Sequence, residues 1–162
     1  DVRPLEQVIQ MPLLWVMDWN LRDAPGGSAK AENVDFGDLS FVTLKHTSDK
    51  PAAPGWYQSP PYDWTVPATL IDLTVAAELN HGQATATVET SDDGFKTVRS
   101  QAKIDIRDGV HTCPLDLLQG AAQAVRVRLN LAPGKAAVAV PVIDGFRITA
   151  RPGNSGEAEL KN

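Results

Sequence analysis

The chain has 162 residues, 43% of them hydrophobic and 22% charged, with 12 Gly, 12 Pro and a net charge of -5; this balance suits one turn-rich globular domain. The negative charge excludes a protein that binds nucleic acid by displacing counterions from phosphates, and no apolar stretch approaches the roughly 20 residues that a membrane-spanning helix needs. The lone Cys113 forms no internal disulfide, which leaves the redox compartment open.

The chain begins at Asp1 without a basic and apolar leader, as expected of a processed protein or a domain cut from a longer one. The first segment, PLEQVIQ (4–10), invites a short helical turn. In LLWVMDWNL (13–21), Leu13, Trp15, Met17, Trp19 and Leu21 share one side of a strand, which predicts Trp15 and Trp19 in the core. Another strand, LSFVTLK (39–45), lies between two small, polar loops, 22–33 and 46–55.

GWYQSPPYDW (55–64) follows and gathers four of the chain's ten aromatic residues. Alternation puts Tyr57 and Ser59 on one face and Trp56 and Gln58 on the other. Pro60 and Pro61 cannot donate ladder hydrogen bonds, so they mark an edge or a bend. Tyr57 and Tyr62 are therefore predicted in the core, whereas Trp56 and Trp64 are predicted to face outward.

From here a period of two dominates. TLIDLTVAAEL (69–79) sets Ile71, Leu73, Val75, Ala77 and Leu79 against Asp72, Thr74 and Glu78. Weaker repeats follow at 84–90 and 103–107. VRVRLNL (125–131) is the clearest strand, with Val125, Val127, Leu129 and Leu131 against Arg126, Arg128 and Asn130. Two further runs, 137–142 and 146–150, close the pattern. Turn signals stand between the runs: NHG (80–82), SDDG (91–94), RDG (107–109) and APG (132–134). A short helical turn is invited only at 115–121, after Pro114. These elements predict an all-β fold, an antiparallel β-sandwich over residues 1–150 with at most one or two short helical turns. The polar residues 151–162 read as a tail or linker.

Catalytic signatures are missing: there is no G-x-S-x-G elbow, phosphate-binding Gly-rich loop, H-E-x-x-H or cysteine pair. His46, His81 and His111 stand in or beside turns as solvated residues, and Cys113 reads as a buried, inert thiol. Asp35 with Asp38, and Asp92 with Asp93, either help to hold a structural calcium ion or serve turns and caps. No other cofactor is expected.

The order GWYQSPPYD, ATLIDLTVAAEL, ATVETSDDGFKTV, AQAVRVRLNL and PVIDGFRI resembles the galactose-binding-like jelly-roll modules of discoidin and carbohydrate-binding type. Tyr57, Ser59 and Asp63 occupy their opening strand, and Ser91, Asp93 and Gly94 their central hairpin. Arg126 and Arg128 match the late strand, and Pro141 and Asp144 the closing one. The resemblance covers about the last two thirds of the chain and implies a non-catalytic module. Its expected partner is a glycan or a neighbouring protein domain, and its expected place is extracellular or on a virion surface. The opening segments are also similar to parts of bacteriophage tail-tip proteins, which keeps an assembly or host-recognition role as the alternative.

A sugar-binding site needs aromatic faces for the apolar side of a pyranose and polar groups for its hydroxyls. Trp56 and Trp64 are the candidate rings. Arg126, Arg128 and the loop residue His81 are the candidate polar readers.

Overall fold

The computed structural model describes residues 30–36, 42–47, 52–118, 120–135 and 140–153, and the backbone alone at 15–18 and Thr65. Its strands are β1 (Trp15–Asp18), β2 (Lys30–Glu32), β3 (Val34–Phe36), β4 (Val42–Leu44), β5 (Gly55–Gln58), β6 (Tyr62–Glu78), β7 (Gln83–Ser91), β8 (Ser100–Asp105), β9 (Gly109–Pro114), β10 (Ala122–Ala132) and β11 (Val142–Pro152). All pair antiparallel. One layer runs β2-β5-β10-β7-β8. The other runs β9-β6-β11-β4-β3, with β1 also on β11. This is the antiparallel β-sandwich expected from the alternation. No helix among the described residues is long and apolar enough to cross a membrane.

The core lies between the layers because the inward phase of each strand is apolar. Tyr57, Val127, Leu129, Leu131, Ala86 and Val88 come from the first layer. Leu44, Leu73, Val75, Phe146 and Ile148 come from the second. Phe36 meets Tyr57 edge-on across the gap, with ring centroids 5.7 Å apart. Each buried large side chain of this kind contributes roughly 1.5–3 kcal/mol through area removed from water.

The Pro-Pro interruption has a specific solution. β5 pairs with residues 128–131 of β10, and the start of β6 pairs with 124–125 on the same edge, so Ser59, Pro60 and Pro61 form a kink within one continuous edge. Ser59 splices it: its backbone N–H donates to the Val127 carbonyl at 2.8 Å, and its Oγ accepts the Val127 N–H at 2.9 Å. The hydroxyl thus replaces a ladder acceptor that the kink removes.

Turn signals were in place, but three of the four do not make hairpins. SDDG lies in the β7–β8 hairpin, whereas the turns at 80–82, 107–109 and 132–134 lead from one layer to the other. Asn80 and His81 both hold positive φ, 49° and 68°, and the Gly82 N–H donates to the Leu79 carbonyl at 2.8 Å, a type I′ arrangement. Asp108 Oδ1 accepts the Leu79 N–H at 2.6 Å, and the Asn80 amide donates to the Val140 carbonyl at 3.0 Å. The interlayer turns are thereby tied together at one end of the sandwich. Residues 115–118 form a turn closed by Leu118 N–H on the Leu115 carbonyl and no helix. β11 runs on through Pro152, two residues past the expected strand end. The helical turn expected at 4–10, and Trp19, lie outside the described residues, as does the first half of the run 137–142.

Candidate functional site

The outer face of the first layer carries its polar phase in register. One row across it is Glu32, Trp56, Asn130, Thr85 and Asp105; the next is Lys30, Gln58, Arg128, Thr87 and Lys103. Arg126 and Glu89 begin a third. Directly opposed residues share a face of the sheet, so these side chains form neighbouring columns.

Trp56 is half-buried in this face and held on two sides. Its indole Nε1–H donates to Glu32 Oε2 at 2.9 Å, and the Arg128 guanidinium lies over its ring at 4.1 Å from the centroid. Arg128 is itself steadied by a 3.2 Å bond from Nε to Asn130 Oδ1. A cation over an indole contributes about 0.5–1 kcal/mol at an exposed site. Beside Trp56 a groove of about 330 Å³ opens, lined by Pro54, Gly55, Trp56, Gln83, Thr85 and Asn130 together with Ala84, Leu131 and Ala132. Arg128 is not part of that lining. The groove therefore combines one aromatic wall with two amides and a hydroxyl, and none of its lining side chains is charged.

Arg126 lies on the same face and is already engaged. Its Nε donates to Glu89 Oε1 at 2.9 Å, and its guanidinium lies 4.2 Å from the centre of the Phe95 ring. His81 is exposed in the type I′ turn, two residues before Gln83, at the end of the sandwich where the groove opens. The structure thus brings Trp56 and Arg128 into contact and leaves Arg126 and His81 at the margins.

Trp64 corrects the sequence reading. It is 7% exposed and belongs to the core, so it is no ligand-facing ring. Tyr62, expected inside, is 46% exposed. The physical reason is that β6 does not restart beyond the bend with the outward phase: Tyr62 stands opposite the buried Val125, so Tyr62 and Trp64 both lie in the inward phase. Tyr62 occupies the rim, edge-on to Trp64 at 5.8 Å. Cys113 is half-buried on β9, less enclosed than expected.

Of the acidic residues, Asp93 serves the turn at 91–97, whereas Asp35 and Asp92 bond to strand residues. Asp35 Oδ1 accepts the Phe36 N–H at 3.0 Å, and Asp92 Oδ1 accepts the Gln123 N–H at 3.1 Å. Asp93 accepts the Thr97 N–H at 3.0 Å and the Thr97 hydroxyl at 2.7 Å. These bonds, together with that from the Ser91 hydroxyl, draw its carboxyl down to about 2. Asp38 lies outside the described residues, among which no group of three or more His, Cys, Asp or Glu is placed to hold a metal ion.

Sequence reasoning missed Glu32, Gln83, Thr85 and Asn130. Asn130 was within reach, since it continues the outward phase of Arg126 and Arg128. Glu32 was hidden because 22–33 reads as loop, and its strand is created by pairing with β5.

No protein-family model matches the chain, and neither does any curated protein. Among solved structures it is similar to the family 32 carbohydrate-binding module of NanJ from C. perfringens, solved with galactose (9% identity, TM-score 0.45, 83% of this chain and 99% of that one). A xylan-binding module of family 15 is similar at 11% identity and TM-score 0.43, over 86% of this chain and 99% of that one. A family two carbohydrate esterase from Cellvibrio japonicus gives 12% identity and TM-score 0.45, over 89% of this chain, which spans only 36% of the esterase's length. All three likenesses are remote in sequence. The fold itself rests on the strand pairing above, and they carry no argument about ligand or activity.

Proposed function

We propose that this domain is a non-catalytic carbohydrate-binding module that holds a larger secreted or surface protein on a glycan, with Trp56 as its sugar-stacking wall. The observation that carries this reading is the groove beside Trp56, where a braced indole borders Gln83, Thr85 and Asn130. A pyranose has an apolar C–H face and a rim of hydroxyls that both donate and accept. The indole meets the first requirement, and amides and a hydroxyl meet the second. Bracing lowers the entropy cost of binding because the ring is already fixed. Arg128 contributes by bracing the ring and His81 from the margin, and single-site affinity is raised by tethering to the parent chain.

Glycan-array binding followed by titration of Trp56→Ala tests the proposal. The expected result is binding to at least one glycan class, with a loss of tenfold or more in Trp56→Ala while the variant still unfolds in one cooperative transition. Absence of glycan binding by the intact chain overturns the reading in favour of an assembly module.

A further inference from the structure

A larger cavity, about 810 Å³, adjoins the Trp56 groove. It is lined by Glu32, Asn33, Asp35, Lys45, His46 and Thr47, with Ala53 and Pro54 completing the wall. Pro54 lines both spaces. Glu32, which lines the larger one, holds the indole N–H of Trp56, which lines the smaller. The two hollows therefore meet along one hydrogen-bonded pair.

The larger cavity is braced from within. Asn33, at φ 56°, donates through its side-chain amide to the carbonyls of Ala53 at 2.8 Å and Pro54 at 3.2 Å. Its own carbonyl accepts the Lys45 N–H at 3.2 Å. One residue thus fastens the corner between β2 and β3, the segment after β4 and the segment before β5. Gly55 allows the close approach, since a Cβ there would stand 2.7 Å from the carbonyl oxygens of both Glu32 and Asn33. Left-handed φ is tolerated by Asn better than by most residues. The walls carry acceptors, the carboxylates of Glu32 and Asp35, beside the cationic donor Lys45 and the imidazole of His46, whose Nδ1 is held by the Leu44 carbonyl at 3.0 Å. A hydroxyl that donates and accepts at once fits such a mixed lining better than a ligand of one charge.

We infer that the two hollows form one cleft for a glycan chain of at least two neutral sugar residues, one against Trp56 and the next in the Asn33-braced cavity. The inference rests on the carbohydrate-binding reading and extends it from a single sugar to a chain. It assigns Lys45 and His46, both exposed, to the second sugar.

Calorimetric titration of the whole chain with cello-, xylo- and galacto-oligosaccharides of one to six residues tests it. In at least one series, affinity is expected to rise tenfold or more between the mono- and trisaccharide. In Lys45→Ala/His46→Ala the tri-to-mono affinity ratio is expected to fall towards one, with the unfolding midpoint showing that the variant is folded. Length-independent binding, or an unaltered ratio in the variant, overturns the two-sugar cleft and leaves the single-sugar site standing. No binding at any length overturns both.

Discussion

At the residue scale, two tryptophans eight positions apart have opposite jobs. Trp64 is packed in the core and Trp56 is half-exposed on a polar face. Trp64→Ala leaves a cavity that its neighbours only partly close, and a loss of about 3–5 kcal/mol is expected in denaturant unfolding. Trp56→Ala removes a partly solvated ring and one cation contact, so about 1 kcal/mol or less is expected. Equal losses for the two variants would mean that the burial assignment is wrong. Tyr57 offers a third contrast. It is fully buried, its hydroxyl has no hydrogen-bond partner among the described residues, and burial pushes its phenol above the ordinary range. An unpartnered buried hydroxyl costs more than it contributes. Tyr57→Phe is therefore expected to leave stability unchanged or raise it by about 1 kcal/mol, and a clear loss on thermal unfolding would reveal a partner for the hydroxyl.

At the element scale, the β5–β6 edge depends on one side chain. Ser59 is 1% exposed, and its Oγ is the acceptor for the Val127 N–H across the Pro-Pro kink. Ser59→Ala strands that buried N–H, which costs about 1–3 kcal/mol. Ser59→Thr keeps the acceptor and should recover part of the loss; equal loss in both variants would argue that packing alone holds the kink. The β7–β8 hairpin is organised in the same way by Ser91 and Asp93. Ser91 Oγ accepts the Phe95 N–H at 2.9 Å and donates to Asp93 Oδ1 at 2.8 Å, while Asp93 holds Thr97. The Asp93 carboxyl is depressed to about 2 from an ordinary 3.8. Its contribution is thus fully present above pH 3.8 and is lost as pH falls through about 2. The Thr97 amide resonance should titrate with a midpoint near 2 and be flat above pH 4. A midpoint near 4 would show that the carboxylate does not hold that amide.

At the scale of the whole molecule, alternation revealed the faces but not the partners. The period in 125–131 correctly separates Val125, Val127, Leu129 and Leu131 from Arg126, Arg128 and Asn130, because burial on one side of a sheet imposes that period directly. Trp56 was legible for the same reason. Trp64 was not, because the phase carried across Pro60-Pro61 depends on which strand lies alongside, and Tyr62 opposite Val125 fixes it. The second cavity was equally hidden: Asn33, Lys45 and Ala53 are far apart in sequence and meet only through the pairing of β2 with β5 and β3 with β4. The two layers meet in β6, whose first residues join β10 while residues 68–78 join β11 and residues 72–77 also join β9. Ala68, 1% exposed, stands at the crossover, opposite both Ala122 and Pro152. One strand thus belongs to both layers, and neither layer can lose it without opening the core of the other. The two layers are therefore expected to unfold together: loss of far-ultraviolet circular dichroism and change in tryptophan fluorescence should give coincident denaturant transitions. Ala68→Leu should lower the shared midpoint by overpacking, at a cost of about 1–3 kcal/mol, without separating the two probes. Separate transitions in the unmodified chain would show that the layers are independent units and that β6 does not couple them.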